Sequence, residues 1–169
     1  MTGGWIEQYP DDVKAIAAAG HELGNHSVNH KQMSTLSSEE CKKELMTPHE
    51  KVKKLTGDMK VFRPPYGDYN DTLITTVREC GYSPIQWDVD SLDWKDYGVD
   101  SIIHTVLDHK HLGNGSIILC HNGAKYTAEA LEQLIDGLQS KGFTLVKMSD
   151  LIYKDHYDIN PEGRQQHIK

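Results

Sequence analysis

The sequence lacks the features that define several classes of protein. It has three widely spaced cysteines (Cys41, Cys80 and Cys120) and no C-x-x-C pair, so a disulfide framework is excluded and we expect all three to be small buried hydrophobic residues. Acidic residues outnumber basic ones by 25 to 18, and the formal net charge of -7 leaves no basic face for nucleic acid. No apolar run approaches the length of a membrane span.

The first residues also lack the features of a signal peptide. Residues 1–5 contain neither a basic nor an apolar stretch. A Gly-Gly turn leads straight into a helix with no strand before it, which is an unusual start for an alternating α/β chain. We therefore expect the chain to begin in the middle of a fold.

Apolar residues at helical spacing, with caps at their ends, predict the helices. The first begins at Pro10 and ends at Gly20. Ser37 and Glu40 form a capping box for the second, in which we expect a kink or restart at Pro48. Later apolar stripes predict helices over residues 71–80, 102–107 and 131–138 and a helical turn at residues 149–152.

Short apolar runs between these helices predict strands at residues 21–24, 61–63, 82–89, 115–120 and 143–146. The alternation of strand and helix predicts an α/β fold with a parallel sheet. The length fits one domain, which we assign to residues 1–154. Residues 155–169 are polar and show no periodicity, so we expect them to form a polar C-terminal tail without regular structure.

Chemically reactive residues follow four of the five predicted strands. They are His26 and His30, then Arg63, then Asp88, Asp90, Asp93 and Trp94, then His121. Parallel α/β folds collect their active sites at the carboxyl ends of strands. Two imidazoles four residues apart share a face if the segment is a helical turn, and imidazole is the commonest metal ligand. His121 ends an apolar strand and therefore needs a polar partner.

Each of these residues also has a simpler interpretation. An H-x-x-x-H spacing arises by chance in a chain with ten histidines, and Arg63 could serve a structural ion pair. The aspartates could cap loops, and Trp94 could belong to the core.

Four motifs in the same order resemble those of the polysaccharide deacetylase family (NodB-homology domain, carbohydrate esterase family 4), with a particular similarity to bacterial peptidoglycan and chitooligosaccharide deacetylases. The resemblance covers about residues 2–154. The family's His-Ser/Thr-x-x-His motif matches His26–His30, Arg-Pro-Pro-Tyr/Phe-Gly matches Arg63–Gly67, Asp-x-x-Asp-Trp matches Asp90–Trp94, and Leu-x-His matches Leu119–His121.

The resemblance implies a partial (β/α) barrel that hydrolyses N-acetyl groups on glycans containing GlcNAc or MurNAc. It implies that His26 and His30 bind a divalent metal, zinc first, with cobalt or nickel as alternatives. By the same resemblance, His121 is the general acid and Asp93 orients it. The resemblance also implies that the backbone N–H of Tyr66 contributes to the oxyanion hole and that Arg63 steadies the catalytic base. It implies substrate contacts for Trp94, Leu119 and Pro64. An extracellular or cell-envelope location also follows from the family.

One family motif is missing. Thr-Phe-Asp-Asp-Gly supplies the catalytic base and the third metal ligand in the family, and this sequence does not contain it. Asp11-Asp12 is the one Asp-Asp pair present, but it opens a predicted helix and does not follow a strand. We therefore expect an N-terminally incomplete domain, weak metal binding and doubtful activity.

Three hypotheses remain open. The first is a metal-dependent deacetylase fold whose N-terminal piece is absent. The second is a non-catalytic glycan- or metal-binding remnant, folding as a homodimer that covers an open sheet edge. The third is a hydrolase of other non-peptide C–N bonds.

Overall fold

The computed structural model describes residues 1–168, which form two compact units. One unit is Met1–Ile85 together with the segment from Lys147 onward, and the other is Gln86–Val146. In chain order the elements are α1 (Gly3–Gln8), α2 (Pro10–Ala18), β1 (Gly24–Asn25), α3 (Ser38–Leu55), β2 (Val61–Phe62), α4 (Asp71–Glu79), β3 (Ser83–Pro84), β4 (Val89–Asp90), α5 (Val99–Leu107), β5 (Ile118–Leu119), α6 (Thr127–Ser140), α7 (Met148–Leu151), β6 (Tyr157–Ile159) and β7 (Gln165–His167).

The first unit is built on a three-stranded parallel sheet in the order β1-β2-β3. Asn25 pairs with Phe62, which in turn pairs with Pro84. Helices α1 to α4 bury apolar side chains, among them Ile6 and Leu45, in one core with Phe62 of β2. This core holds β1 in place, and the histidine pair follows directly after that strand.

The second unit is smaller. Its strands β4 and β5 are parallel, with Val89 opposite Ile118. Helices α5 and α6 pack together, and Val106, Leu134 and Leu138 join Val89 in a separate core. Asp93 and His121 both follow strands of this small sheet.

The helix starts confirm the predictions from capping residues. Pro10 opens α2, and the Ser37–Glu40 capping box is fully formed. Helix α4 has a further cap, Asn70, whose side chain accepts the N–H of Leu73. The restart predicted at Pro48 is wrong, because α3 runs through it without a break. Residues on both sides of this proline are buried, so packing holds the helix together across the missing N–H.

The strands differ more from the sequence predictions. The single strand predicted over residues 82–89 is divided into β3 and β4, and Pro84, at the end of β3, has no N–H to extend the ladder. Residues 143–146 form no strand, and the side chains of Leu145 and Val146 are about half exposed. A strand requires a hydrogen-bonding neighbour, which residue composition does not reveal.

Two further expectations need correction. Of the cysteines, Cys41 is buried and Cys80 partly buried, but Cys120 is exposed at the end of β5. The segment predicted to be a tail without regular structure contains an antiparallel hairpin of β6 and β7. Asn160 closes its turn by accepting the N–H groups of Glu162 and Arg164, so the polar stretch is a turn signal.

Within residues 1–168 every helix is too short or too polar to cross a bilayer.

Candidate active site

The histidine pair lies on a loop after β1, not on the helical turn considered from sequence. The ring centroids of His26 and His30 are 4.7 Å apart and the rings are inclined at 73°. Ser27 and His30 have φ values of 67° and 53°, in the left-handed region that non-glycine residues seldom adopt. The loop brings the two imidazoles together through these two backbone positions.

Side-chain hydrogen bonds hold this loop from within. The buried Asn25 accepts the N–H of Ser27 through Oδ1 at 3.0 Å. The hydroxyl oxygen of Ser27 accepts the N–H of His30 at 2.9 Å. Each bond ends at the N–H of one of the left-handed residues, and together they help to hold the strained backbone there.

Glu44 of α3 holds the middle of the same loop. Its Oε2 accepts the N–H groups of Val28 at 3.0 Å and Asn29 at 3.2 Å, and its Oε1 pairs with Lys31 at 3.1 Å. The Glu44 side chain is 7% exposed, whereas that of Lys31 is 53% exposed. The carboxylate therefore fixes the loop by charge-assisted bonds in a largely dry setting.

His26 is held in the tautomer that a metal ligand needs. Its Nδ1 lies 2.7 Å from the carbonyl oxygen of Arg63, which can only accept, so Nδ1 carries the proton and Nε2 keeps its lone pair. Burial lowers the pKa of His26 to about 4, and the bond to the Arg63 carbonyl only partly opposes this. His26 is therefore neutral at neutral pH.

The Arg-Pro-Pro-Tyr-Gly stretch forms a tight turn beside His30. Tyr66 has a φ of 61°, and its ring centroid is 4.6 Å from that of His30. Hydrogen bonds from Gly67 N–H to Pro64 and from Asp68 N–H to Pro65 close the turn, and neither bond uses the N–H of Tyr66. The Tyr66 side chain is 69% exposed, while Pro64 is buried, which leaves little of the Pro64 ring for the predicted substrate contact.

In the second unit, Asp93 and His121 form a close pair. Oδ1 of Asp93 is 2.7 Å from His121 Nδ1, and Oδ2 accepts both the N–H of His121 and the hydroxyl of Thr127 at 2.7 Å. Burial alone would raise the pKa of Asp93, but these three bonds outweigh it and hold the pKa below its usual value. The Asp93 side chain is fully buried and that of His121 is 42% exposed, so a fixed carboxylate supports an accessible imidazole.

The other predicted residues of this unit differ in their exposure and in their hydrogen bonds. Trp94 follows Asp93 and is 55% exposed, which excludes the core interpretation, whereas Leu119 is buried in β5. Asp90 caps the next turn by accepting the N–H of Leu92, and Asp88 accepts the N–H of Ile117. The loop-cap interpretation is correct for Asp90, whereas Asp88 binds the distant segment that precedes β5.

The residues present fit part of a metal site. His26 offers a neutral nitrogen, and His30 lies beside it at a distance suited to a shared ion. Among residues 1–168, however, no three His, Cys, Asp or Glu side chains form a ligand set.

Sequence reasoning missed three residues that position this chemistry: Asn25, Glu44 and Thr127. Asn25 directly precedes His26, and an Asn side chain often accepts the backbone N–H two residues later, which here is that of Ser27. Glu44 lies on a helix and Thr127 begins another, so nothing in their spacing indicates their partners.

Comparison with known proteins identifies the family of this chain. Residues 1–85 match the family model described as Polysaccharide deacetylase. The peptidoglycan-N-acetylglucosamine deacetylase of Bacillus cereus is 32% identical over 161 residues, covering 92% of this chain and 75% of that protein. The peptidoglycan-N-acetylmuramic acid deacetylase PdaA of Bacillus subtilis is 30% identical over 163 residues, covering 91% of this chain and 60% of that protein.

Among solved structures, the chain is similar to a CE4 family pseudoenzyme from Bacillus anthracis. The TM-score is 0.81 at 30% identity, over 89% of this chain and 53% of that one. A mutant of that pseudoenzyme is described as having restored enzymatic activity. This chain thus spans about three fifths of PdaA and about half of the pseudoenzyme. On the family match and the identity to the Bacillus cereus enzyme, the chain belongs to the polysaccharide deacetylase family, and its α/β fold is the NodB-type partial (β/α) barrel of the CE4 structures.

Proposed function

We propose that this chain carries the metal-binding and proton-donating groups of an N-deacetylase. Its substrates are glycans that contain GlcNAc or MurNAc, either peptidoglycan or chitooligosaccharide. The observation that carries the proposal is the Asp93–His121 pair, in which a buried carboxylate with a lowered pKa supports a half-exposed imidazole. A protein that only binds glycans does not need that arrangement. Hydrolysis of an amide needs it, because the departing amine must be protonated.

In this proposal His26 and His30 hold a divalent metal, zinc first and cobalt or nickel as alternatives. A metal held there would polarise the acetyl carbonyl and make a water molecule more acidic. The Arg63 carbonyl keeps the His26 proton on Nδ1 and so keeps Nε2 available. The Tyr66 ring packs against His30 and limits its rotation.

The proton donor is His121. Water adds to the acetyl carbon and loses a proton to the solvent. The C–N bond breaks as the nitrogen takes a proton from His121 Nε2, and acetate and the free amine leave. Asp93 holds the proton on Nδ1 and stabilises the imidazolium that donates. The half-exposed Trp94 and the backbone N–H of Tyr66 are the groups we assign to the substrate and to the carbonyl oxygen.

A second candidate is a non-catalytic glycan- or metal-binding protein. The absence of a third ligand among residues 1–168 favours it, as does the structural similarity to a pseudoenzyme. Both candidates use the imidazole pair of His26 and His30. They differ in whether the chain hydrolyses a substrate with His121 as the proton donor.

The experiment measures acetate release from chitopentaose and from peptidoglycan with zinc or cobalt added. Activity that falls on the order of 10²-fold or more in His121→Ala supports the deacetylase. No acetate from either glycan, combined with retained cobalt binding that His26→Ala abolishes, supports the binding protein instead.

Location and assembly are part of the proposal. Because the named relatives act on peptidoglycan, we place the protein in the cell envelope or outside the cell. We also propose a homodimer, which light scattering of the purified chain would test.

A further inference from the structure

A chain of polar side chains lies behind the loop that carries the histidine pair. Asn25 is 1% exposed and Tyr82 is 3% exposed, so both are deep in the first unit. The Nδ2 of Asn25 donates to the carbonyl of Leu45 at 2.8 Å and to the hydroxyl of Tyr82 at 3.0 Å. His49 Nδ1 lies 2.6 Å from the same hydroxyl, and its Nε2 lies 3.2 Å from Asp58.

The partners fix the position of each proton. The Leu45 carbonyl only accepts and the Ser27 N–H only donates, so the Asn25 carboxamide has one possible orientation. Tyr82 accepts from Asn25, and burial raises the pKa of Tyr82 to about 12, so its hydroxyl keeps its own proton. That proton is donated to His49 Nδ1, which leaves the His49 N–H on Nε2, facing Asp58.

The chain of bonds ends on the loop itself. The one Asn25 oxygen accepts the N–H of Ser27, whose backbone is left-handed, and the Ser27 hydroxyl accepts the N–H of His30. If the carboxamide rotates, Ser27 loses this acceptor and its strained backbone loses its main restraint. The direction of one buried side chain therefore controls the loop that carries both imidazoles.

We propose that Tyr82 and His49 are positioning residues for the His26–His30 pair, acting through the carboxamide of Asn25. The proposal rests on the proposed function in one respect, namely that this pair binds a divalent metal. The two residues touch neither imidazole. Leu45 and Ser27 set the orientation of the carboxamide, and Tyr82, held by His49, adds a second acceptor that restrains it. The carboxamide in turn holds the Ser27 N–H, and the Ser27 hydroxyl holds the His30 N–H.

The first test needs no metal. Tyr82→Phe removes only the hydroxyl, and the matched control is Val13→Ala, a truncation in the same core outside the hydrogen-bond chain. We expect amide exchange at Ser27 and His30 to be about tenfold faster in Tyr82→Phe than in the control at equal global stability. Equal exchange rates in the two variants would overturn the proposal.

The second test uses zinc and a competing chromophoric chelator. Loss of a group that orients a ligand weakens metal binding about 10- to 100-fold. We expect that loss in Tyr82→Phe and in His49→Leu, and near-normal affinity in His49→Asn, because the Asn oxygen can replace Nδ1 as the acceptor for Tyr82. Weakening in His49→Asn equal to that in His49→Leu, or none in either, contradicts the positioning role.

The two tests separate the proposals. If the unmodified chain binds no zinc, the proposed metal site fails and the exchange rates alone decide the positioning role. If it binds zinc and Tyr82→Phe binds equally well, the positioning role fails and the metal site stands.

Discussion

The charge of a single carboxylate, that of Asp93, depends on bonds from residues distant in sequence. His121 provides two of the three and Thr127 the third. The motif indicates the Asp and the His, because both follow strands of a parallel sheet. It does not indicate Thr127, because a threonine at a helix start usually serves only that helix.

Replacing Asp93 by Asn tests the role of this charge. At pH 7 we expect a loss of about 2 kcal/mol in the free energy of unfolding, because charge-assisted bonds in a buried site are replaced by neutral ones. The native pKa of Asp93 is lowered, so its carboxylate stabilises the fold above the unfolded-state value of about 3.9 and loses this effect as the pH falls through the native pKa. The difference between Asp93→Asn and the parent chain should therefore shrink below about pH 4.

Urea unfolding at pH 7 and at acid pH, followed by far-UV circular dichroism, gives both values. A difference that stays constant across this range would show that the Asp93 charge does not contribute in this way.

Thr127→Val keeps the shape of the side chain and removes its hydroxyl. We expect a loss of about 1 kcal/mol in the free energy of unfolding and a rise in the pKa of Asp93, because one of its donors is gone. Thr127→Ser retains the donor and is the control. If both variants behave alike in urea unfolding, the hydroxyl bond is not the cause.

At the scale of secondary structure, helix starts can be read from sequence and strand partners cannot. The Ser37–Glu40 box and the Asn70 cap use atoms within one turn of the chain, so local sequence determines them. Each strand of the parallel sheets pairs only two residues, and each pairing joins distant segments. The apolar run at residues 143–146 has strand composition but lies in no sheet. The candidate site shows the same limit: the motifs indicate its histidines, but they do not indicate the helix residue Glu44, which holds the loop of His26 and His30.

The contact between α3 and the histidine loop yields a prediction with an internal control. Glu44→Ala leaves the N–H groups of Val28 and Asn29 without their acceptor, so we expect a loss of about 2–3 kcal/mol in the free energy of unfolding. Lys31→Ala removes only the exposed partner of the ion pair and should cost less than about 1 kcal/mol. Urea unfolding followed by far-UV circular dichroism measures both. Equal losses would mean that the ion pair, and not the backbone contacts, carries the effect.

For the whole molecule, the division into two units gives metal binding a specific signature. Both imidazoles of the pair belong to the first unit, and that unit also contains Glu44, Asn25 and the Arg63 turn. A ligand stabilises the state that binds it by RT ln(1 + [L]/Kd), or about 2.7 kcal/mol at a concentration one hundred times Kd. A metal bound by His26 and His30 therefore stabilises the unit that contains these two residues.

We therefore expect zinc to slow amide exchange in Met1–Ile85 and in the segment from Lys147 onward more than in Gln86–Val146. Exchange is measured by mass spectrometry on peptides from each unit, with and without zinc at one hundred times its measured Kd. His26→Ala should abolish the difference, whereas His109→Ala, which replaces a histidine of the second unit, should leave it unchanged. Equal slowing in both units would mean that they open as one body, because stabilisation added to either unit would then have to be overcome before any part of the chain could exchange. No slowing in the first unit would contradict metal binding at the histidine pair, because a bound ion cannot leave its own unit unstabilised.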